Sequence, residues 1–214
     1  MQSGYNMPSK LRVRRLFRPL VMAIAKGFQK VGITPNMVTA MGLVLAIIGC
    51  LFFILCLDYI GSLFFGVFIF MAGIFDGVDG ALARLTHRTS VKGGYLDSVL
   101  DRYADIGIIV SFLGHYPNVC VIIGLPLFNW VIIALIGITM VSYTRAKMEE
   151  VGVEDSDVGL MGRSERLFIL FISAILNYAF VGLLVVGILS HLTALYRIIY
   201  VNQQLKSKPE SNYN

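Results

Sequence analysis

The sequence predicts an all-α integral membrane protein with six transmembrane helices and an N-terminal interfacial amphipathic helix. Hydrophobic residues make up 57% of the 214 positions and charged residues only 14%, and the mean hydropathy is +0.75. A soluble domain typically has about a quarter of its residues charged. Several apolar stretches also approach or exceed the roughly 20 residues that a helix needs to cross a bilayer. Together these observations exclude a soluble globular domain.

The segment from Lys10 to Lys30 precedes the first long apolar stretch. Its apolar residues recur at helical spacing, and lysines and arginines are interspersed among them. This pattern is typical of a helix that lies in the membrane interface. We expect no signal peptide, because no cleavage site with small residues follows the basic stretch. Residues 1–33 are therefore predicted to form a cytoplasmic segment that contains the interfacial helix.

Six apolar stretches follow, separated by polar breaks or loops. Pro35 suits the first turn of a helix and marks the start of the first span. The predicted spans are 35–57, 62–84, 94–113, 127–149, 165–176 and 179–203. The conformation of residues 115–126 stays open, because a glycine and a proline interrupt their apolar run. We expect one membrane domain, residues 34–203, and a polar cytoplasmic tail, residues 204–214.

The distribution of the 18 lysines and arginines predicts the orientation of the chain. None of them lies in the breaks at 58–61, 115–126 or 177–180. Because basic residues concentrate in cytoplasmic loops, both termini are predicted on the cytoplasmic side of the cell membrane, which requires an even number of spans. The basic residues lie beside apolar segments, so the net charge of +5 indicates membrane lipids and phosphorylated substrates as partners rather than nucleic acid.

Four aspartates are predicted at the cytoplasmic boundary of the second and third spans. Asp76 and Asp79 are three residues apart, and Asp97 and Asp101 are four apart, so each pair lies on one helix face. Four ionised carboxylates near hydrocarbon would repel one another and lose hydration. Hard divalent cations such as Mg²⁺ or Mn²⁺ prefer oxygen ligands of this kind, and two cations suit a diphosphate substrate. The sequence therefore predicts a site for two divalent cations, with Mg²⁺ as the preferred ion and Mn²⁺ as the alternative.

The four acids have two alternative interpretations. The aspartates could pair with nearby basic residues in a salt-bridge network at the membrane surface. They could also mark the path of a divalent-cation transporter, because carboxylates inside membranes commonly line ion pathways. A transport path should place acids near the middle of the bilayer, whereas these cluster at one boundary beside glycines and Arg84. The spacing therefore favours a catalytic metal site.

The complete pattern is Asp-x2-Asp-Gly-x2-Ala-Arg-x8-Gly-x3-Asp-x3-Asp, which begins at Asp76 and ends at Asp101. Here the sequence resembles the CDP-alcohol phosphotransferase family, whose signature it matches at every fixed position. The resemblance covers about residues 10–203. It implies an enzyme that transfers a phosphatidyl-type group from a CDP-linked lipid to an alcohol and releases CMP. It also implies a homodimer.

The resemblance assigns roles to individual residues. Asp76, Asp79, Asp97 and Asp101 would hold the two metal ions, and Asp101 would also act as the general base. Candidate residues for the nucleotide and the CDP-linked lipid are Asn36, Thr39, Asp76, Gly80, Ala83, Arg84 and Ser90. An N-terminal helix cap is the alternative role for Asn36 and Thr39.

Basic residues near the cytoplasmic ends of the last three spans indicate the acceptor. A phosphorylated acceptor needs cations that hold and orient its dianion. The candidates are Arg145, Lys147, Arg163, Arg166 and Arg197. The pattern resembles the phosphatidylinositol phosphate synthase branch of the family and its archaeal relative, archaetidylinositol phosphate synthase, which implies inositol 1-phosphate as the acceptor.

The basic pattern departs from that branch at three positions. Arg145 stands where lysine is usual, Lys147 where arginine is usual, and Ser164 replaces a proline. Glycerol 3-phosphate remains the alternative acceptor, since it too needs cations. Ordinary anchoring of cytoplasmic loops is the alternative role for the basic residues. The choice between ester-linked and ether-linked lipid tails stays open.

Overall fold

A computed structural model describes residues 16–116, 124–153 and 158–206, and these described residues form seven α-helices. The helices are α1 (Arg18–Val31), α2 (Pro35–Leu55), α3 (Tyr59–Leu85), α4 (Val91–His115), α5 (Leu127–Glu150), α6 (Arg163–Ile175) and α7 (Ala179–Lys206). The predicted all-α class is confirmed.

Among the described residues, four helices are long and apolar enough to cross a membrane, namely α2, α3, α5 and α7. They correspond to the first, second, fourth and sixth predicted spans. Helix α4 has 25 residues but carries acidic and basic side chains in its first half. Helix α6 has only 13 residues, which cover about 20 Å at 1.5 Å per residue, less than the roughly 30 Å of hydrocarbon. The six-span expectation is therefore met in part.

The boundaries of several elements follow from local sequence. Thr34 caps α2 by accepting a hydrogen bond from the Met37 amide, and Pro35 occupies the first turn as predicted. Helix α7 continues to Lys206, three residues beyond the predicted end of the sixth span. The predicted tail from 207 onward and most of the segment 115–126 lie outside the described residues.

Helix α3 is central to the bundle and packs against α1, α2 and α6, while α4 packs against α2 and α5, and α7 against α5 and α6. Small residues allow the closest approaches. A Cβ atom on Gly137 would lie 3.0 Å from the Gly187 carbonyl oxygen, between α5 and α7. A Cβ atom on Gly66 would lie 3.0 Å from the Ala174 Cβ, between α3 and α6.

An aromatic cluster joins α2, α3 and α4 at one end of the bundle. Phe53 stacks on Phe65 with a centroid distance of 4.1 Å, and on His115 at 3.9 Å. The His115 Nδ1 atom also lies 2.7 Å from the Phe53 carbonyl oxygen. Because Phe53 is near the C-terminal end of α2, this packing fixes the three helices at the end opposite Thr39. Nearer the other end of α2, Thr39 contacts Asp79 of α3.

Candidate active site

One cavity brings together the ends of five helices. Its lining residues include Asp76 from α3, Asp97 from α4, Arg145 from α5, Arg163 from α6 and Arg197 from α7. The residues from α3, α5 and α7 lie in the C-terminal halves of their helices, and those from α4 and α6 in the N-terminal halves. Successive helices from α3 to α7 therefore run in alternating directions.

The predicted aspartates meet at this cavity. Carboxylate oxygens of Asp76, Asp97 and Asp101 lie within 4.8 Å of one another. Asp79 lines the same pocket and accepts a hydrogen bond from Thr39 Oγ1 at 2.8 Å. The structure thus places all four carboxylates where α3 and α4 face each other.

The donor set fits a hard divalent cation. Three carboxylate oxygens that lie this close can share a single ion, and oxygen ligands suit Mg²⁺ or Mn²⁺ better than softer metals. All three residues are only partly accessible to solvent, so a cation would offset their mutual repulsion. Asp76, Asp97 and Asp101, with Asp79 beside them, form the carboxylate cup, a candidate divalent metal site.

Arg163 contacts the carboxylate cup directly. Its Nη1 atom lies 2.9 Å from Asp76 Oδ1 and 2.7 Å from Asp101 Oδ1, and the side chain is only 13% exposed. The sequence predicted Arg163 as a ligand of the acceptor phosphate, and the structure shows it bridging two of the predicted metal ligands. Neighbouring carboxylates with little access to water attract the nearest cation strongly, which accounts for this position.

A fifth aspartate, Asp105, lies behind Arg163. Its Oδ1 atom is 3.3 Å from Arg163 Nε, and its Oδ2 atom is 2.6 Å from Arg166 Nη2. Asp105 and Arg166 are both buried. Asp105 was not among the residues predicted from the sequence, although it follows Asp101 at the same four-residue spacing by which Asp101 follows Asp97. That spacing was the signal that could have identified it.

The cavity at the ends of the five helices has a volume of about 410 Å³, and both acidic and basic side chains line it. Four of the five predicted acceptor cations line it, namely Arg145, Arg163, Arg166 and Arg197. Arg102 lines it as well and was not among the predicted site residues. Its position directly after Asp101 was the available signal.

Lys147 stands apart from that set. It is exposed, lies outside the described lining of the cavity, and forms an ion pair of 2.7 Å with Glu150. Lys147 follows Arg145 by two residues, and residues at this spacing point to different sides of a helix. Its role in acceptor binding stays a prediction.

Arg197 and Arg145, two further predicted acceptor residues, differ in burial and in hydrogen-bond partners. Arg197 is buried, donates from Nε to the Val158 carbonyl oxygen at 2.8 Å, and also donates to the Val141 carbonyl oxygen. Arg145 is exposed and donates from Nε to Glu149 Oε1 at 3.1 Å. Arg197 is therefore fixed in the cavity wall, whereas Arg145 lies near the solvent opening.

Three of the predicted nucleotide residues lie at or near the N-terminal ends of α2 and α4, namely Asn36, Thr39 and Ser90. A Cβ atom on Gly93 would lie 3.0 Å from Ser90 Oγ and 3.4 Å from Asn36 Oδ1. The absence of a side chain at Gly93 therefore lets the Ser90 and Asn36 side chains lie close to the α4 backbone. Ser90 caps α4 by accepting a hydrogen bond from the Gly93 amide at 3.0 Å. Thr34 caps α2, so neither Asn36 nor Thr39 has the capping role that was the alternative.

The other nucleotide candidates lie in the last turns of α3. Gly80 lines the cavity, and a Cβ atom there would be 3.5 Å from Arg84 Nη1. The Arg84 guanidinium therefore lies over Gly80. Ala83 is half-buried and Arg84 is exposed. Of these residues, Gly80 lies next to the carboxylate cup, because its amide donates a hydrogen bond to Asp79.

The sequence matches known proteins along most of its length. A sequence model of the CDP-alcohol phosphatidyltransferase family matches residues 32–200. The chain is 33% identical over 201 residues to the archaetidylinositol phosphate synthase of Pyrococcus horikoshii, which covers 94% of this chain and 99% of that protein.

Solved structures share the fold. The phosphatidylinositol phosphate synthase of Mycobacterium tuberculosis with CDP-DAG bound superposes with a TM-score of 0.70 at 24% identity, covering 92% of this chain and 98% of that one. A second structure of the mycobacterial enzyme, in complex with manganese and citrate, also gives 0.70 at 24% identity, with 91% and 92% covered. The predicted membership is thus confirmed: this multi-pass membrane enzyme, a transferase, belongs to the CDP-alcohol phosphatidyltransferase family.

Proposed function

We propose that this enzyme transfers a phosphatidyl or archaetidyl group from a CDP-linked lipid to inositol 1-phosphate and releases CMP. The observation that carries the proposal is a single cavity that is lined both by the carboxylate cup and by four predicted acceptor arginines. Carboxylates with divalent cations suit the diphosphate of the donor, and arginines suit the phosphate of the acceptor. The archaetidylinositol phosphate synthase relative supports this choice of acceptor.

The donor diphosphate would bind at the carboxylate cup. Asp76, Asp79, Asp97 and Asp101 would hold two divalent cations, Mg²⁺ in first place and Mn²⁺ as the alternative. Such cations, when bound, would neutralise the diphosphate and stabilise the charge on departing CMP. The mycobacterial structure with manganese supports a divalent ion in this fold.

The transfer step requires a base beside the acceptor hydroxyl. The hydroxyl oxygen forms a new bond to the phosphorus that carries the lipid, the bond from that phosphorus to CMP breaks, and CMP leaves with the electron pair. Asp101 takes the hydroxyl proton. Asp101 suits this role because it belongs to the carboxylate cup and also contacts Arg163, so donor and acceptor would meet beside it.

The nucleotide would lie along the ends of α2, α3 and α4. Thr39 donates a hydrogen bond to Asp79 and so orients that carboxylate. The residues proposed to contact the nucleotide or the CDP-linked lipid are Asn36, Thr39, Asp76, Gly80, Ala83, Arg84 and Ser90. Glycines in this region leave room for the nucleotide to approach the backbone.

The acceptor phosphate would bind to the arginines that line the cavity. Arg145, Arg163 and Arg197 come from three different helices and line the same cavity, and together they would hold one phosphate group. Arg166 supports this set from the cavity wall, and Lys147 is proposed to contribute from the exposed end of α5. Glycerol 3-phosphate is the second candidate acceptor, because the same cations would bind its phosphate.

The alternating helix directions support the proposed topology. Since the C-terminal ends of α3, α5 and α7 share one cavity, α4 and α6 each return the chain to the opposite end of the bundle. We therefore propose six spans within residues 34–203, with the site, the N-terminal segment 1–33 and the tail 204–214 on the cytoplasmic side. Helix α1 would lie in the interface, and two chains would form a homodimer.

One assay tests the proposed function. Purified enzyme is incubated with a CDP-linked lipid and Mg²⁺, and inositol 1-phosphate, glycerol 3-phosphate, serine and inositol are supplied separately while CMP release is measured. We expect CMP release with inositol 1-phosphate alone. Turnover only with glycerol 3-phosphate would show that glycerol 3-phosphate, and not inositol 1-phosphate, is the acceptor. Undiminished CMP release after exhaustive chelation would contradict the metal-dependent mechanism.

A further inference from the structure

Asp105 is a buried carboxylate that the proposed chemistry does not use. It lies one helical turn beyond Asp101 on α4 and is 6% exposed. Among the described residues, it belongs neither to the group of carboxylates that approach within 4.8 Å of one another nor to the lining of the large cavity. A buried carboxylate is costly unless it is paired, so the partners of Asp105 indicate its role.

Those partners are two arginines of the proposed acceptor site. Asp105 Oδ1 lies 3.3 Å from Arg163 Nε, and Asp105 Oδ2 lies 2.6 Å from Arg166 Nη2. Each carboxylate oxygen therefore binds a different guanidinium. Two buried guanidinium groups would otherwise repel each other, and the single carboxylate between them holds both in place.

The guanidinium of Arg163 also extends from Asp105 to the carboxylate cup. Its Nε atom contacts Asp105, while its Nη1 atom contacts Asp76 and Asp101. Because the guanidinium is planar and rigid, the position of Asp105 determines where the Nη1 end lies relative to Asp101. Asp101 is the proposed base, so the distance between the acceptor cation and the base depends on Asp105.

We propose that Asp105 is a positioning residue for the acceptor phosphate, which acts by orienting Arg163 and Arg166 and compensating their charge. The inference rests on the proposed function, since it assumes a phosphorylated acceptor. Asp105 contacts the arginines rather than the reacting atoms. Its loss therefore affects binding of the acceptor, whereas binding of the CDP-linked lipid stays close to that of the unchanged enzyme.

The test compares Asp105→Asn and Asp105→Glu with the unchanged enzyme in the CMP-release assay, with the concentrations of acceptor and donor varied separately. For Asp105→Asn we expect the acceptor KM to rise by roughly tenfold or more, the size of effect that loss of an outer hydrogen-bonding partner has at metal sites. The donor KM should change by less than about twofold. Asp105→Glu retains the charge and should recover part of the acceptor affinity.

Phe112→Leu is the matched control, because Phe112 is buried on the same helix but packs in the aromatic cluster away from the cavity. It should lower thermal stability and leave both KM values unchanged. If Asp105→Asn does not fold, Asp105→Glu decides alone, with a raised acceptor KM and an unchanged donor KM expected.

The inference is overturned if the folded variants keep the acceptor KM of the unchanged enzyme, or if the KM values for donor and acceptor rise equally. If the unchanged enzyme is active with inositol 1-phosphate, either of these results leaves the proposed function intact. Absence of turnover by the unchanged enzyme with every phosphorylated acceptor would instead overturn both the function and the inference.

Discussion

Arg163 contacts the proposed donor and acceptor sites at once. Its Nη1 atom bridges Asp76 and Asp101, where a divalent cation would also be attracted. A guanidinium and a metal ion in contact with the same carboxylates compete for them. In this structure Arg163 therefore acts as a resident counter-cation of the carboxylate cup, in addition to its proposed role with the acceptor.

We predict that Arg163→Ala strengthens Mn²⁺ binding several-fold, because a competing cation is removed, and that it raises the acceptor KM more than the donor KM. Mn²⁺ binding is measured by electron paramagnetic resonance without substrates, and the KM values by CMP release. Arg145→Ala is the matched control, because Arg145 lines the same cavity but pairs with Glu149; it should raise the acceptor KM without changing Mn²⁺ affinity. Unchanged or weaker Mn²⁺ binding in Arg163→Ala would show that the competition does not occur.

Asp97 provides a second test at the scale of single residues. Its carboxylate lies within 4.8 Å of those of Asp76 and Asp101, and asparagine keeps the size while removing the charge. We expect Asp97→Asn to lower CMP release by at least about 100-fold and to weaken Mn²⁺ binding. Asp58→Asn is the control, because Asp58 caps α3 at its N-terminal end, away from the cavity. Activity near that of the control would remove Asp97 from the metal site.

The helices differ in how they reach the cavity. Helices α5 and α7 approach closely at Gly137 and Gly187, and each carries one arginine of the cavity lining nearer its C-terminal end, Arg145 and Arg197 respectively. Helix α6 is short, but it places Arg163 and Arg166 within its first turn. The length of α6 matters less for the site than the position of its N-terminal end.

We predict that Gly137→Leu separates α5 and α7, because a Cβ atom at Gly137 would already lie 3.0 Å from the Gly187 carbonyl oxygen. Overpacking of this kind costs about 1–3 kcal/mol. The thermal unfolding temperature in detergent should therefore fall, and the acceptor KM should rise. Gly107→Leu is the matched control, because no atom of a neighbouring helix lies within 4 Å of a Cβ placed there. Equal stability of the two variants would contradict the proposed close contact.

At the scale of the whole molecule, the alternating helix directions predict which loops share a side of the membrane. Arg88, between α3 and α4, and Tyr178, between α6 and α7, are both exposed. They lie at opposite ends of the proposed bundle. In a six-span protein they therefore face opposite sides of the membrane, although α4 and α6 fall short of the usual length or apolarity of a span.

Thiol labelling of intact cells tests this topology. In a variant without its native cysteines, we expect an impermeant reagent to label Tyr178→Cys from outside. Arg88→Cys should react only after the membrane is permeabilised, because its loop is proposed to be cytoplasmic. Labelling of both positions from the same side would mean that α6 does not cross the membrane with the other helices.

The sequence by itself determined the all-α class, the start of α2, the family and the four aspartates of the carboxylate cup. These features depend on local chemistry and on spacing along one chain. Hydrophobic periodicity identifies a helix, Pro35 indicates where one begins, and a spacing of three or four residues places Asp76 with Asp79 and Asp97 with Asp101 on common helix faces.

Only the tertiary structure decided the partners of the arginines. Asp105 and Arg163 are 58 positions apart, and Asp105 and Arg166 are 61 apart. Their contacts form because the middle of α4 lies beside the N-terminal end of α6 in the folded chain. Contacts between residues so distant in sequence depend on how whole helices pack, which no local pattern encodes. For the same reason, the bridging of Asp76 and Asp101 by Arg163 and the position of Lys147 outside the cavity lining were visible only in the folded chain.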